Sequence, residues 1–469
     1  MIDFDVCNLS IDMMKLTLNV LILLYTTIIC INSMSLKTHQ PELRRTASKL
    51  CQLNKGILAA DESNPTMKKR FDLFNIENTF KNRMNYRKLL FTTPNLNQYI
   101  SGIIINEDTL SNIQIDSEYN DLYNIIVNQN DMIIGCKLDQ GLTELFGGHG
   151  IDKQSIKYSH VGYETFTKGI DTLYERALKS YENGVEFAKF RTQIKIPANS
   201  QPSSLAIAQC AWQLSLFART VQEAGLVAMM EPDVLMCGSH NIDTTYSIQK
   251  EIYNQLFHNL IHMNVFLDGC ILKPAFTLAG TDWAWMNKED PGDRRVRSIN
   301  NAHYTLNTLS STVPPSIPGI FFLSGGLSEE ESSIQLSTLN AVKKIEQAPW
   351  HLSFSFGRAL QQSALRQWAC GMLQESEKWR QDKDMINDDK SSSSSSNKST
   401  AYDVNQCTSD VNNDYAKAMA SAKPTSTLLS PSEVDCQQML LARARANSKA
   451  CAGLYRAGTE PSVFLPIEY

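Results

Sequence analysis

The chain has no CxxC pair, no H-E-x-x-H and no tight cluster of metal-ligating residue types. Its eleven cysteines stand apart from one another. That spacing excludes a disulfide framework or a zinc site and is read as free thiols in a reducing compartment. The eight histidines approach each other in sequence only at His258 and His262, a spacing for one helix face whose usual role is structural. A dominant charge is missing too. With 44 basic and 49 acidic residues the net charge is −5, which gives no support to general nucleic-acid binding. Long apolar runs are absent except for 16–32 (LTLNVLILLYTTIICIN). That run is marginal for a span, which needs about 20 apolar residues, and Asn19 interrupts it. Asp3, Asp5 and Asp12 against a lone Lys15 make a poor signal-peptide flank. Residues 1–33 are therefore read as an upstream extension, from an incorrect start or a weak targeting segment, with Met34 opening the main chain.

What is present is a repeated alternation. Across 56–358, eight short apolar runs are separated by longer amphipathic stretches: GILAAD (56–61), SGIIIN (101–106), IIGCKLD (133–139), FAKFRTQI (187–194), LVAMMEPDVL (226–235), GCILKP (269–274), GIFFLSGG (319–326) and HLSFSFGR (351–358). Most are rich in β-branched or aromatic residues, and stretches such as 203–224 are long enough for helices. Parallel strands joined by helical crossovers follow, and a closed eight-stranded α/β barrel is the simplest arrangement. A composition of 42% hydrophobic residues can fill such a core. From 375 to 432 the chain turns polar, with six consecutive serines at 391–396. That composition predicts a disordered insertion. Helical pattern resumes from 433, followed by a tail ending in FLPIEY.

Charged residues fall at or near the C-terminal ends of these runs, which form the catalytic face of such a barrel. They are Asp61, Lys137, Asp139, Lys189, Arg191, Glu231, Lys273 and Arg358. Lys273 closes an apolar strand, where desolvation and neighbouring lysines would lower its pKa and expose a free amine. A lysine whose head simply reaches water explains it better when the residue is taken alone. Lys189 and Arg191, two apart on a strand, share a face. Glu231 follows LVAMM, an environment expected to raise its pKa toward acid/base duty, and Asp61 could accept a hydroxyl proton. Lys137 with Arg191, and Arg358 with the backbone of Ser324-Gly325-Gly326, make two cationic clusters suited to two phosphates. Structural ion pairs and a plain turn remain open for each.

The ordered set GILAADES (56–63), FAKFR (187–191), MEPD (230–233), ILKP (271–274), TVPP (312–315), FLSGGLSEEE (322–331) and SFGRALQ (355–361) resembles the class I fructose-bisphosphate aldolases. RANSKACAGLY (445–455) and the terminal Tyr469 extend the likeness. The resemblance implies a (β/α)₈ TIM barrel over 34–374, with a C-terminal helix and mobile tail over 433–469. It implies reversible aldol cleavage of fructose 1,6-bisphosphate to dihydroxyacetone phosphate and glyceraldehyde 3-phosphate through a lysine Schiff base, without cofactor or metal. Lys273 resembles the Schiff-base lysine and Glu231 the acid/base for the carbinolamine. Asp61 resembles the base at the 4-hydroxyl, Lys189 its orienting partner, and Tyr469 the mobile C-terminal tyrosine. Ser324, Gly325, Gly357 and Arg358 match the 1-phosphate site. Ser63, Thr66, Arg70, Lys137 and Arg191 match positions around the 6-phosphate end. A cytoplasmic homotetramer is implied as well, with cytoskeletal binding by resemblance only and no nucleic-acid partner.

Departures from the family pattern are Asp233 for a usual Glu, Phe356 for a usual Tyr and Gln140 for a usual Lys. Asp233, one methylene shorter, is expected to hold Lys189 less well. The alternative to an enzyme is a divergent aldolase-like scaffold or binding protein. Retention of Lys273, Glu231, Lys189 and Asp61 speaks against it.

Overall fold

The computed structural model describes residues 38–115, 118–148, 164–197, 201–286, 294–387 and 429–461. All eight predicted runs are strands: β1 (Gly56–Ala59), β2 (Ile100–Asn106), β3 (Ile133–Lys137), β6 (Phe187–Ile194), β7 (Val227–Val234), β8 (Cys270–Leu272), β9 (Gly319–Phe322) and β10 (His351–Phe356). They close into one parallel barrel in the order β1-β10-β9-β8-β7-β6-β3-β2, with Ile57 opposite Ser355 at the seam. The fold is a (β/α)₈ barrel. Two further strands, β4 (Leu142–Glu144) and β5 (Thr165–Thr167), form an antiparallel hairpin outside the barrel. Three-residue strands carry too little periodicity to be read from sequence.

Period-two alternation divides the barrel into an inside and an outside. Ile57, Ala59, Ile104, Ile133, Phe187, Val227, Met229, Ile271 and Phe321 form the inner cluster. The helix over 38–50 closes its floor with Leu43, Ala47 and Leu50. Outward residues such as Leu58, Ile103, Phe190, Met230, Leu272, Phe322 and Phe354 join the larger core under the surrounding helices. The inner packing is tight at Gly135, where an added Cβ would sit 2.2 Å from the Phe187 ring. The predicted helix over 203–224 is observed as Ser204–Glu223, with the Ser203 hydroxyl accepting from the Ala206 N–H as its cap.

The C-terminal region corrects one boundary. The helix that follows β10 runs Arg358–Asn387, across the first thirteen residues of the segment expected to be disordered. Residues 375–387 are dominated by Glu, Lys, Arg, Gln and Met, which lose little rotamer freedom in a helix. The six-serine run and the rest of 388–428 lie outside the described residues, as do 1–37 and Tyr469. A last helix, Pro431–Cys451, starts at a capping box made by Ser430 and Glu433. Cys51, Cys136, Cys210, Cys237, Cys270, Cys436 and Cys451 are free thiols. No helix among the described residues is long and apolar enough to cross a membrane.

Candidate active site

The alternation that packs the inner cluster also aims the chemistry. Inside positions Ile57 and Ala59 are followed two residues on by Asp61, Phe187 by Lys189 and then Arg191, Met229 by Glu231 and then Asp233, and Ile271 by Lys273. All of these charged residues line one cavity of ≈ 770 Å³ at the C-terminal mouth of the barrel. Ser63, Thr66, Arg70 and Lys137 line it as well, and so do Ser324, Gly325, Gly357 and Arg358. Every site residue expected from the sequence that falls among the described residues is on this cavity; Tyr469 lies outside them.

At the centre, four charges alternate in sign. Lys189 Nζ lies 3.0 Å from Asp61 Oδ2 and 2.6 Å from Glu231 Oε2, and Lys273 Nζ lies 3.2 Å from Glu231 Oε1. The Lys189–Asp61 contact is a hydrogen bond. The Lys189–Glu231 contact is ionic only, so Glu231 Oε2 is buried without a hydrogen-bond donor. Burial, with help from Lys189, lowers the Lys273 pKa although Glu231 opposes it. For Lys189 burial acts in the same direction, but Asp61, Glu231 and Asp139 together outweigh it and hold the ammonium well above the ordinary value. One lysine is thus prepared to be an amine and the other to stay a cation.

Glu231 requires a correction. Its apolar strand was expected to raise its pKa. Burial does push it up, but Lys189, Lys273 and Arg191 more than cancel that and leave it below the ordinary 4.5. For Asp61, burial is likewise overcome by Lys189, Lys273 and Lys137, which hold it below its ordinary 3.8. Both carboxylates have depressed folded-state values. Their contribution to stability is complete above about pH 4.5 and is lost as the pH falls through the folded values. Thermal denaturation between pH 7 and pH 3 should therefore show a steeper acid loss for the wild type than for Asp61→Asn. Parallel curves would remove Asp61 from the network.

The cations around the rim are partnered more locally than the sequence suggested. Lys137 faces Lys189 directly across β3 and β6, a repulsive placement, and takes Asp139 at 3.3 Å. Arg191 pairs with Asp233 at 3.5 Å. Asp233, expected to hold Lys189 weakly, is engaged by Arg191 instead, and burial raises its pKa. Arg70 is held by Glu62 at 2.5 Å. Glu62 also accepts from Gln361 at 3.1 Å.

At Ser324-Gly325-Gly326 the chain turns back, with the Leu327 N–H donating to the Ser324 carbonyl at 2.9 Å. Gly325 and Gly326 take φ of +57° and +104°, a conformation glycine adopts without strain. The helix Glu329–Glu346 begins immediately after. Arg358 opens the helix after β10. Backbone N–H groups and positive helix ends beside an arginine are suited to an anion.

Ser355 was missed. Its hydroxyl is buried without a hydrogen-bond partner on the cavity wall. The alternation Leu352, Phe354, Phe356 outward and Ser353, Ser355 inward was readable in HLSFSF. The same parity places the Phe356 departure in the outer core, its ring tilted against that of Phe354 at 5.4 Å, away from the cavity. Gln140 does line the cavity. His258 and His262 stack on one another in the helix Ile242–His262. No group of three or more His, Cys, Asp or Glu among the described residues could hold a metal ion.

Known proteins of one family resemble this chain in sequence and fold. The family described as glycolytic fructose-bisphosphate aldolase class-I matches residues 42–420. A cytoplasmic fructose-bisphosphate aldolase isozyme of Pisum sativum is 40% identical over 328 residues, 70% of this chain and 84% of its own length. The Plasmodium falciparum fructose-bisphosphate aldolase is 40% identical over 329 residues, 70% of this chain and 81% of its own. A crystal structure of the Plasmodium falciparum enzyme, in complex with TRAP and a small-molecule inhibitor, superposes with a TM-score of 0.68 at 32% identity. That match covers 90% of this chain and 97% of the other.

Proposed function

The chain belongs to the class-I fructose-bisphosphate aldolase family, and on that premise we propose that it cleaves fructose 1,6-bisphosphate through a Schiff base on Lys273. The observation that carries this reading is a buried lysine of lowered pKa in contact with a buried carboxylate, beside a second, fully charged lysine. The neutral Lys273 amine attacks the ketone carbon. Glu231, 3.2 Å away, takes one proton from the Lys273 ammonium to free that amine and returns it to the departing hydroxyl, so that water leaves and an iminium remains. The iminium is an electron sink. Asp61 takes the proton of the 4-hydroxyl, the bond between carbons three and four breaks, and glyceraldehyde 3-phosphate departs. Protonation of the enamine and hydrolysis of the imine then release dihydroxyacetone phosphate and regenerate the amine. Lys189, between Asp61 and Glu231, keeps both carboxylates ionised and oriented.

In the same proposal Ser324, Gly325, Gly357 and Arg358 hold the 1-phosphate, and Ser63, Thr66, Arg70, Lys137 and Arg191 serve the 6-phosphate end. Ser355 adds a hydroxyl to the wall. Tyr469 is assigned the proton exchange at the enamine. Cytoplasmic location, as in the pea isozyme's name, and a homotetrameric assembly belong to this reading too. Cleavage of fructose 1,6-bisphosphate in excess EDTA tests it. Undiminished turnover is expected, because the iminium does the work that a Lewis acid does elsewhere. Turnover that collapses and returns with added zinc would sink the Schiff-base assignment.

A further inference from the structure

The geometry points to Glu329 as a positioning residue that locks together the two backbone segments of the 1-phosphate cradle, an inference that rests on the phosphate assignment above. Glu329 is completely buried. It opens the helix that follows Ser324-Gly325-Gly326. Capping of that helix is already done by Ser328 and Glu331, which exchange the two bonds of a capping box. The Glu329 side chain is free of that task and crosses to the neighbouring helix. There Oε1 accepts from the Ser363 N–H at 3.0 Å and Oε2 accepts from the Ser363 hydroxyl. Ser363 lies five residues beyond Arg358 in the first turns of the helix Arg358–Asn387. One carboxylate therefore ties the glycine turn to the segment carrying Gly357 and Arg358.

Two further contacts make the tie rigid. The Glu329 carbonyl accepts from Arg443 Nη2 of the last helix, a guanidinium that is itself fully buried and also reaches Ser333 Oγ at 2.6 Å. On the other side, Gln361 Nε2 donates to the Ala59 carbonyl at 2.7 Å and to Glu62 at 3.1 Å, anchoring the same helix to β1. A buried anion is costly unless it is hydrogen-bonded, and an apolar contact of similar volume would hold two helices together at least as well. What the carboxylate adds is direction. Its two oxygens fix the register of one helix N-terminus against the other, and with it the spacing of the N–H groups and Arg358 around a phosphate.

Fructose 1-phosphate, whose single phosphate belongs to this cradle, is the probe. Glu329→Gln and Ser363→Ala should each raise its KM by about tenfold, the size of a lost charge-assisted hydrogen bond, with kcat changed far less. Borohydride trapping of Lys273 with unphosphorylated dihydroxyacetone should proceed as in the wild type. Ser333→Ala, which removes a hydroxyl bonded to Arg443, Asn447 and the Glu329 carbonyl but leaves the Glu329 carboxylate and Ser363 in place, should lower Tm without moving KM. Unchanged KM in folded Glu329→Gln and Ser363→Ala overturns the inference. So does a loss of dihydroxyacetone trapping as large as the loss of phosphate affinity, which would mean general damage. Should Glu329→Gln fail to fold, Ser363→Ala decides. If the wild type shows no dependence on the 1-phosphate, comparing fructose 1-phosphate with fructose, the cradle assignment itself fails and the inference falls with it.

Discussion

Lys273→Met should abolish cleavage of fructose 1,6-bisphosphate, to a level set only by contaminating enzyme. No other group in the cavity can take its place. Lys189 is held as a cation by Asp61 and Glu231, and Lys137 is tied to Asp139 at 3.3 Å, whereas burial lowers the pKa of Lys273. Methionine keeps the length and most of the volume, so the barrel should fold normally. Borohydride reduction in the presence of dihydroxyacetone phosphate should add the mass of the reduced adduct to the peptide containing Lys273, and to nothing in the Met variant. Labelling at Lys189 or Lys137 would overturn the assignment.

Lys189→Met should have the next largest effect, and for two separable reasons. The first is stability. Removing one partner of a buried ionic network leaves the others uncompensated, and such losses run to about 3–5 kcal/mol. Asp61 loses its hydrogen-bonded cation and Glu231 its 2.6 Å neighbour, so both carboxylates should titrate at higher pH than in the wild type. The second is rate. With Asp61 and Glu231 drifting toward their neutral forms, proton transfer at the 4-hydroxyl and at the carbinolamine should lose about 10²- to 10⁴-fold in kcat. Measuring kcat well below the variant's own Tm separates the two. Residual activity within tenfold of the wild type would mean that the bridge is structural only.

The sequence was most legible where periodicity is physical. Eight apolar runs of strand length separated by helical stretches have few ways to bury both faces of each strand, and the closed barrel is one of them. Period-two alternation then settled in advance which charged residues could share the interior: Asp61, Lys189, Glu231 and Lys273 each continue an inward set whose earlier members are apolar. The glycine turn at 324–326 and the match to a known family pointed to the same mouth. Where elements are very short, as in β4 and β5, or where helix-forming polar residues lead into low-complexity sequence, as at 375–387, local pattern decided little.

What the sequence by itself determined was the set of side chains at the mouth of the barrel and the chemistry they are capable of. Only the tertiary structure decided their ionisation. Glu231 follows an apolar run, and from its own strand alone its pKa should rise. It falls because Lys189 on β6 and Lys273 after β8 reach it from strands on either side. Arg191 pairs with Asp233, two residues beyond the Glu231 that the parallel register sets opposite it. The tie between Glu329 and Ser363 joins residues 34 positions apart that no local rule brings together. Charge interactions depend on distances of a few ångströms between groups far apart in the chain, and barrel closure supplies those distances.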